Sequence, residues 1–502
     1  MPTHHFEHGQ RLSRNLYEEI RLWIADGTYG VGAALPSTRA LAAERGLSRG
    51  TVSLVYEQLA ADGFIETQPG AASRVSFGVA APRLDGRLHG GNEKREAPDM
   101  PSDRLSAIGR RIAAMDIREA EATLAGEIDF VYGPLSGNDF PTLLWLKALR
   151  AVECQRTPRL EYEDPRGNFE LRQALQAHLS QTRGMRCTAD QIMIVNGSQQ
   201  ALDLCARLLV SPGDGVVVEN PGYRMAHNAF EAYGAKLLCV DVDGHGLCTD
   251  QLDRTGPARM AYVTPTHQFP LGSFLPIARR RALLDWAAAR QVWVIEDDYD
   301  SEYRYSVRPE ATLQSLDSCG CVIHVGTFSK TLSPRLRLGY MVLPPALVEV
   351  FAAAKRVTDR HAATGVQRAL ARLLEDGSYD RHLRRMRRSQ HARQRALVDA
   401  LTDRFGTRVR IEGCSSGLHL VAWFPELSAR AESALLHSAR ELGVRVYPIG
   451  PLYHPDFDLE ASGRPLGLVM GYGLLECEAI KVGVNRLAAA IDRIGGQDLS
   501  LS

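Results

Sequence analysis

From about residue 126 onward, short runs of Val, Ile and Leu alternate with longer segments of helical period. That alternation limits the fold more than any other feature of the chain, because it is the pattern of a mostly parallel sheet with crossover helices. The runs Gln191–Val195, Gly215–Glu219, Ala258–Val263, Val292–Glu296 and Cys321–Val325 read as strands, and Gln199–Leu209 and Pro276–Arg290 as helices between them. No internal repeat is present.

Two other regions separate by composition. Residues 11–78 form a compact helical pattern ending in a hairpin. Residues 79–125, rich in Ala, Pro, Gly and charge, read as a linker, which leaves 126–495 for the α/β domain. With 45% hydrophobic residues, 24% charge and no apolar run of about 18, the 502-residue chain is expected to be cytoplasmic, with no membrane contact. Its nine cysteines show no ligand spacing, so reduced thiols and no metal site are expected. A net charge of zero excludes a global polycation, and any DNA contact must be local.

The N-terminal region carries such a local face. Leu12, Leu16, Ile20 and Ile24 mark an amphipathic helix. Ser37 is placed to cap a short helix through Glu44, Gly46 to make a turn, and Ser48 to cap a second helix to about Asp62. This is helix-turn-helix spacing, followed by two short strands around Pro69 and Gly70, a wing. Arg49, Gly50 and Thr51 begin the recognition helix, where side chains meet base edges, and Ser48 precedes them. Ser37, Arg39 and Arg74 are placed for phosphate contacts. Residues 1–78 hold seven Arg and no Lys against eight Asp plus Glu, so a packing-only module competes with DNA binding. The arginines, however, gather in the turn, recognition helix and wing. The tandem Pro36-Ser37-Thr38-Arg39-Ala40-Leu41-Ala42 and Ser48-Arg49-Gly50-Thr51-Val52, through Tyr56 and Leu59, resembles the winged helix of GntR-type bacterial regulators.

Lys330 follows the apolar run Val322–Val325 and precedes Leu338–Leu343, so its amine should be partly desolvated and able to attack a carbonyl. Thr327, Ser329 and Arg337 beside it supply hydroxyls and a cationic fork for a phosphate. A carbonyl and a phosphate on one ligand suggest pyridoxal 5'-phosphate; a strand-end lysine reaching for water is the plain alternative. Further partners are Gly197, Ser198 and Gln199 at a strand-to-helix turn, Tyr223 after a strand, and Asp297 with Tyr299 at another strand end.

In that order, these segments resemble the fold type I, class I and II aminotransferases. The resemblance implies that Lys330 forms the internal aldimine, Asp297 meets the pyridinium nitrogen, Tyr299 touches the ring hydroxyl and Tyr223 stacks. Ser198, Gln199, Ser329 and Arg337 would hold the phosphate, joined by Tyr162 from the partner subunit of a homodimer. In TPTHQFPLG, His267 or Gln268 stands where the ring-contacting asparagine belongs. Met470 stands roughly where aminotransferases carry the arginine that clamps a substrate carboxylate. Its loss forfeits on the order of 2 to 3 kcal/mol of carboxylate binding, so either another arginine substitutes, with Arg224 a candidate, or the effector is not an α-amino carboxylate.

The whole chain resembles a MocR/GabR-type regulator. Three functions are therefore expected in competition. The first is a homodimeric regulator binding operator double-stranded DNA and sensing a small amine or amino-acid effector through the Lys330 aldimine, with at most a residual transaminase half-reaction. The others are a working aminotransferase with an autoregulatory winged helix, and a regulator that senses pyridoxal phosphate and controls vitamin B6 supply. The seven arginines of Arg381–Arg395 read as a solvated helix face, with DNA backbone contact the lesser alternative.

Overall fold

The computed structural model describes residues 4–67, 71–76, 104–117, 124, 126–155, 161–305, 311–457 and 462–498. The chain divides into two compact units, Met1–Met100 and Pro101–Ser502. Most of the expected linker lies outside the described residues. Its part 104–117 belongs to the second unit and carries the helix Ala107–Ala113, where Arg111 Nε donates to Ala232 O at 2.8 Å.

In the first unit α1 (His4–Ala25) starts earlier than its apolar period suggested. It buries Leu16, Ile20 and Ile24 with Val52, Val55 and Leu59 of α3 (Arg49–Ala61). Between them lies α2 (Thr38–Arg45), whose N-cap Ser37 accepts from Ala40 N, while Ser48 accepts from Thr51 N at the head of α3. Gly46 closes α2 at φ +61, a left-handed conformation that costs glycine little. Tyr56 Oη donates to Pro36 O at 2.8 Å and ties α3 to the segment ahead of α2. Strands β1 (Ile65–Glu66) and β2 (Arg74–Val75) pair antiparallel as the base of the wing; Pro69 and Gly70 lie outside the described residues.

The second unit is built on an eight-stranded sheet. A short strand β3 (Ile128–Asp129) precedes it in the chain. The sheet itself comprises β4 (Ile192–Val195), β5 (Gly215–Asn220), β6 (Lys236–Asp243), β7 (Gly246–Leu247), β8 (Met260–Val263), β9 (Trp293–Asp298), β10 (Val322–Thr327) and β11 (Gly339–Val342). Their spatial order is β4-β11-β10-β9-β8-β5-β6-β7. Strands β10, β9, β8, β5 and β6 run parallel, and β11 is antiparallel between β4 and β10. The central strands are buried on both faces, which is why they read as unbroken apolar runs. A second sheet joins β12 (Arg410–Glu412), β13 (His419–Ser428), β15 (Tyr447–Pro448) and β16 (Pro465–Gly471), while β14 (Val444–Arg445) pairs with β3. The helices Ser378–Phe405 and Cys477–Asp498 share a core with that sheet.

Candidate functional site

The carboxyl ends of β4, β5, β8, β9 and β10 open on one cavity of about 400 Å³, the position an open α/β sheet offers to ligands. At the end of β10, Lys330 Nζ donates to Gly133 O at 2.8 Å. A side chain at Gly133 (φ +104) would come within 3.1 Å of that nitrogen, so glycine is what lets the chain pass here. Burial lowers the Lys330 pKa, and Asp300 and Asp297 hold it back.

Asp297, next to last in β9, is in register with Val325 of β10, which sets the carboxylate beside the strand that leads to Lys330. Tyr262, pointing from β8, donates its hydroxyl to Asp297 Oδ2 at 2.7 Å. Asp297 Oδ1 is buried and has no hydrogen-bond partner among the described residues. Burial pushes its carboxyl up to about 6, against the Tyr262 hydrogen bond. Such an acceptor is left for a cationic donor: a protonated pyridine nitrogen fits it, and so fits the expected pyridoxal phosphate.

At the other end Ser198 and Gln199 begin the helix Ser198–Leu209, with Thr327, Ser329 and Arg337 across from them. Arg337 adopts φ +51 and donates from Nη2 to Asn196 O at 2.6 Å. A Cβ at Gly197 (φ +85) would sit 2.9 Å from that Nη2, so Gly197 admits the guanidinium without itself lining the cavity. Hydroxyls, a helix N-terminus and an arginine make an anion seat.

Of the expected ring contacts, Tyr223 and Tyr299 line the cavity. His267 does not: it stands behind Tyr299, with Nδ1 3.0 Å from Tyr299 Oη and 2.9 Å from Asp300 Oδ2. Gln268 donates to Pro221 O and Phe269 O, bracing the loop. Tyr162 is 70% exposed beneath the Arg360 guanidinium, away from its own chain's cavity. His267, Asp300 and His419 bring ligand atoms within 4.8 Å of one another, but His419 Nε2 is engaged by Pro270 O at 3.0 Å and Asp300 Oδ2 by His267.

Sequence reasoning did not single out Tyr132, Gly133, Tyr262, Phe269, Asp300 or His419, all of which line the cavity. Asp300, three residues beyond Asp297, was the most legible of these. Tyr262 is an ordinary aromatic in a strand until β8 is placed beside β9.

On the first unit, Ser37, Arg39, Ser48, Arg49 and Gly50 are exposed and Thr51 is half-buried. Ser48 Oγ lies 2.8 Å from Thr51 Oγ1, so both hydroxyls are partly used in capping α3. Arg74 is also exposed, but its Nη1 donates to Gly32 O at 2.8 Å. Arg45 pairs with Glu19 at 3.0 Å and lies over Trp23, turned back onto α1. In the arginine-rich helix, Arg393 is buried against Asp139 and Glu476, and Arg381, Arg385 and Arg387 bond to carbonyls of their own unit.

Comparison with known proteins agrees with this geometry. The family described as Aminotransferase class I and II matches residues 134–464, and that described as Bacterial regulatory proteins, gntR family, matches 12–75. The chain is 34% identical to the probable rhizopine catabolism regulatory protein MocR of Rhizobium meliloti, over 95% of its length and 93% of that protein. It is 29% identical to the pyridoxine biosynthesis transcriptional regulator PdxR of Corynebacterium glutamicum, over 92% of each. Among solved structures, the α-aminoadipate aminotransferase LysN of Thermus thermophilus, complexed with N-(5'-phosphopyridoxyl)-L-leucine, superposes with a TM-score of 0.70 at 28% identity. It covers 80% of this chain and 99% of its own.

Proposed function

Since this chain belongs to the MocR-type regulators, gntR-family DNA-binding proteins fused to a class I and II aminotransferase domain, we propose that it is a transcriptional switch whose cavity around Lys330 senses an amine-bearing effector. Pyridoxal phosphate is the cofactor of that domain. The observation that carries the reading is the unpartnered, buried Asp297 Oδ1 in the same cavity as the Lys330 amine.

Bound there, the cofactor supplies a carbonyl carbon for an amine and an electron-withdrawing ring. Lys330 Nζ provides the amine, kept reactive by burial. Asp297 Oδ1 holds a proton on the ring nitrogen, with Tyr262 fixing the other oxygen. Ser198, Gln199, Thr327, Ser329 and Arg337 would hold the phosphate, Tyr223 would offer its face to the ring, and Tyr299, oriented by His267, would meet the ring hydroxyl. Tyr162 serves the cavity of a second copy in a homodimer. Gly197 keeps the anion seat open. On DNA, Arg49, Gly50 and Thr51 read base edges, while Ser37, Arg39, Ser48 and Arg74 hold phosphates.

The regulatory relatives support gene control ahead of turnover, and any enzymatic remnant is a transamination half-reaction in which Lys330 Nζ carries a proton. A second reading, a sensor of the cofactor itself, is favoured by the PdxR relative, whose name refers to pyridoxine biosynthesis. One titration separates them: operator affinity of the full chain is followed with pyridoxal phosphate alone, then with added amines. The amine-sensing reading expects the second addition to move operator affinity, and expects Lys330→Ala to lose both the visible absorbance and that response. A Lys330→Ala variant that responds fully sinks it.

A further inference from the structure

Met470, at the place of the expected carboxylate clamp, lies in β16 opposite Leu420 and is 0% exposed within a core that includes Phe130. It does not line the cavity. Nor does Arg224, the substitute expected for that clamp: its Nη1 is buried beside His227 without a hydrogen-bond partner among the described residues. Among the described residues, the cationic side chains on the cavity wall are Lys330 and Arg337. Lys330 is the reactive amine, and Arg337 belongs to the phosphate end.

The remaining wall is aromatic. Tyr132 packs on Phe269 with ring centroids 5.4 Å apart, Phe269 lies 5.4 Å from His419, and Tyr223 closes on Phe269 at 5.7 Å. His419 donates from Nε2 to Pro270 O, and burial pushes its pKa down to about 3, so it adds no positive charge. The charged group that faces this end is a carboxylate, Asp300, buried and with an oxygen within 4.8 Å of a His419 ring nitrogen, while Asp297 is assigned to the ring nitrogen. A carboxylate on the ligand would be desolvated here with no cation to meet and the like charge of Asp300 nearby.

From this wall we infer that the effector is a primary amine with an uncharged body, carrying no carboxylate or other anion, seated against Tyr132, Phe269 and His419. The inference rests on the cofactor reading given above. It also separates this site from one built for amino acids, where a bidentate arginine holds the carboxylate.

The test uses the full chain loaded with pyridoxal phosphate and two matched pairs of probes: benzylamine against phenylglycine, and ethanolamine against serine. Apparent Kd is read from the visible absorbance change and, independently, from the shift in operator affinity. At least one neutral amine should bind about tenfold or more tighter than its carboxylated partner. His419→Arg, which places a cation on the wall, should narrow or reverse that ratio. Equal or tighter binding of the carboxylated probes overturns the inference, as does the absence of any response to the neutral amines while the cofactor is bound. If pyridoxal phosphate itself produces no visible absorbance, the cofactor reading fails first and the inference falls with it.

Discussion

Tyr262 Oη donates to Asp297 Oδ2 at 2.7 Å, and the two residues stand on adjacent parallel strands, both almost wholly buried. One carboxylate oxygen is thereby fixed while the other is left for the ligand. The hydrogen bond also favours the ionised form that burial opposes.

Tyr262→Phe removes the donor with little change of shape. Asp297 should then be more readily protonated, and a protonated carboxyl pairs poorly with a protonated ring nitrogen. Affinity for pyridoxal phosphate at neutral pH should fall about tenfold, with about 1 to 3 kcal/mol lost from the cofactor-free fold. Titration by visible absorbance and denaturant unfolding measure the two effects; wild-type cofactor affinity in the variant would contradict the assigned role.

Glu219 should make the cofactor-free protein less stable as pH rises. Burial lifts its carboxyl from 4.5 to about 7, against hydrogen bonds from Thr264 and Gln268. The folded state therefore holds the proton more tightly than the unfolded chain. The stability gained is complete below pH 4.5 and is lost as pH rises through about 7. Glu219→Gln should flatten the unfolding free energy over that window, by on the order of 1 to 3 kcal/mol relative to wild type. Parallel pH curves for the two proteins would exclude Glu219 as the titrating group. Asp297, raised from 3.8 to about 6, acts in the same direction at lower pH.

Arg39 and Arg49 should separate in kind. Both guanidinium groups are exposed at helix beginnings. Arg49→Ala should cost about 1 to 3 kcal/mol at the operator and relax the sequence preference there. Arg39→Ala should weaken all DNA sequences alike and lower the salt slope by about 1. Affinity measured against salt on operator and scrambled duplexes decides both, and an unchanged footprint for Arg49→Ala removes it from the reading set.

Arg393→Met tests the arginine-rich helix. The guanidinium is buried, bonded to Asp139, to Gly473 O at 3.2 Å and to Glu476 at 3.1 Å. Its loss should cost about 2 to 3 kcal/mol, less than for a fully buried pair because Glu476 is largely exposed. A Tm unchanged by the substitution would place Arg393 with the solvated arginines of its helix.

The helix caps at Ser37 and Ser48, the turn at Gly46 and the places of the buried strands along the chain were legible in the sequence, because capping, left-handed turns and apolar runs are set by residues close together in the chain. Lys330 and Tyr223 stand just past strands, Asp297 near the end of one and Arg337 just ahead of another, and all four line the cavity. Tertiary structure alone decided what surrounds them. Tyr262 became the partner of Asp297 through the β8–β9 register, and His267 went behind Tyr299 while Gln268 turned to backbone carbonyls. The aromatic wall joins Tyr132, Phe269 and His419 from segments more than a hundred residues apart. Local pattern shows that a residue is apolar or sits at a strand end; which groups then face one another, and which oxygen remains without a partner, is fixed by packing between distant segments.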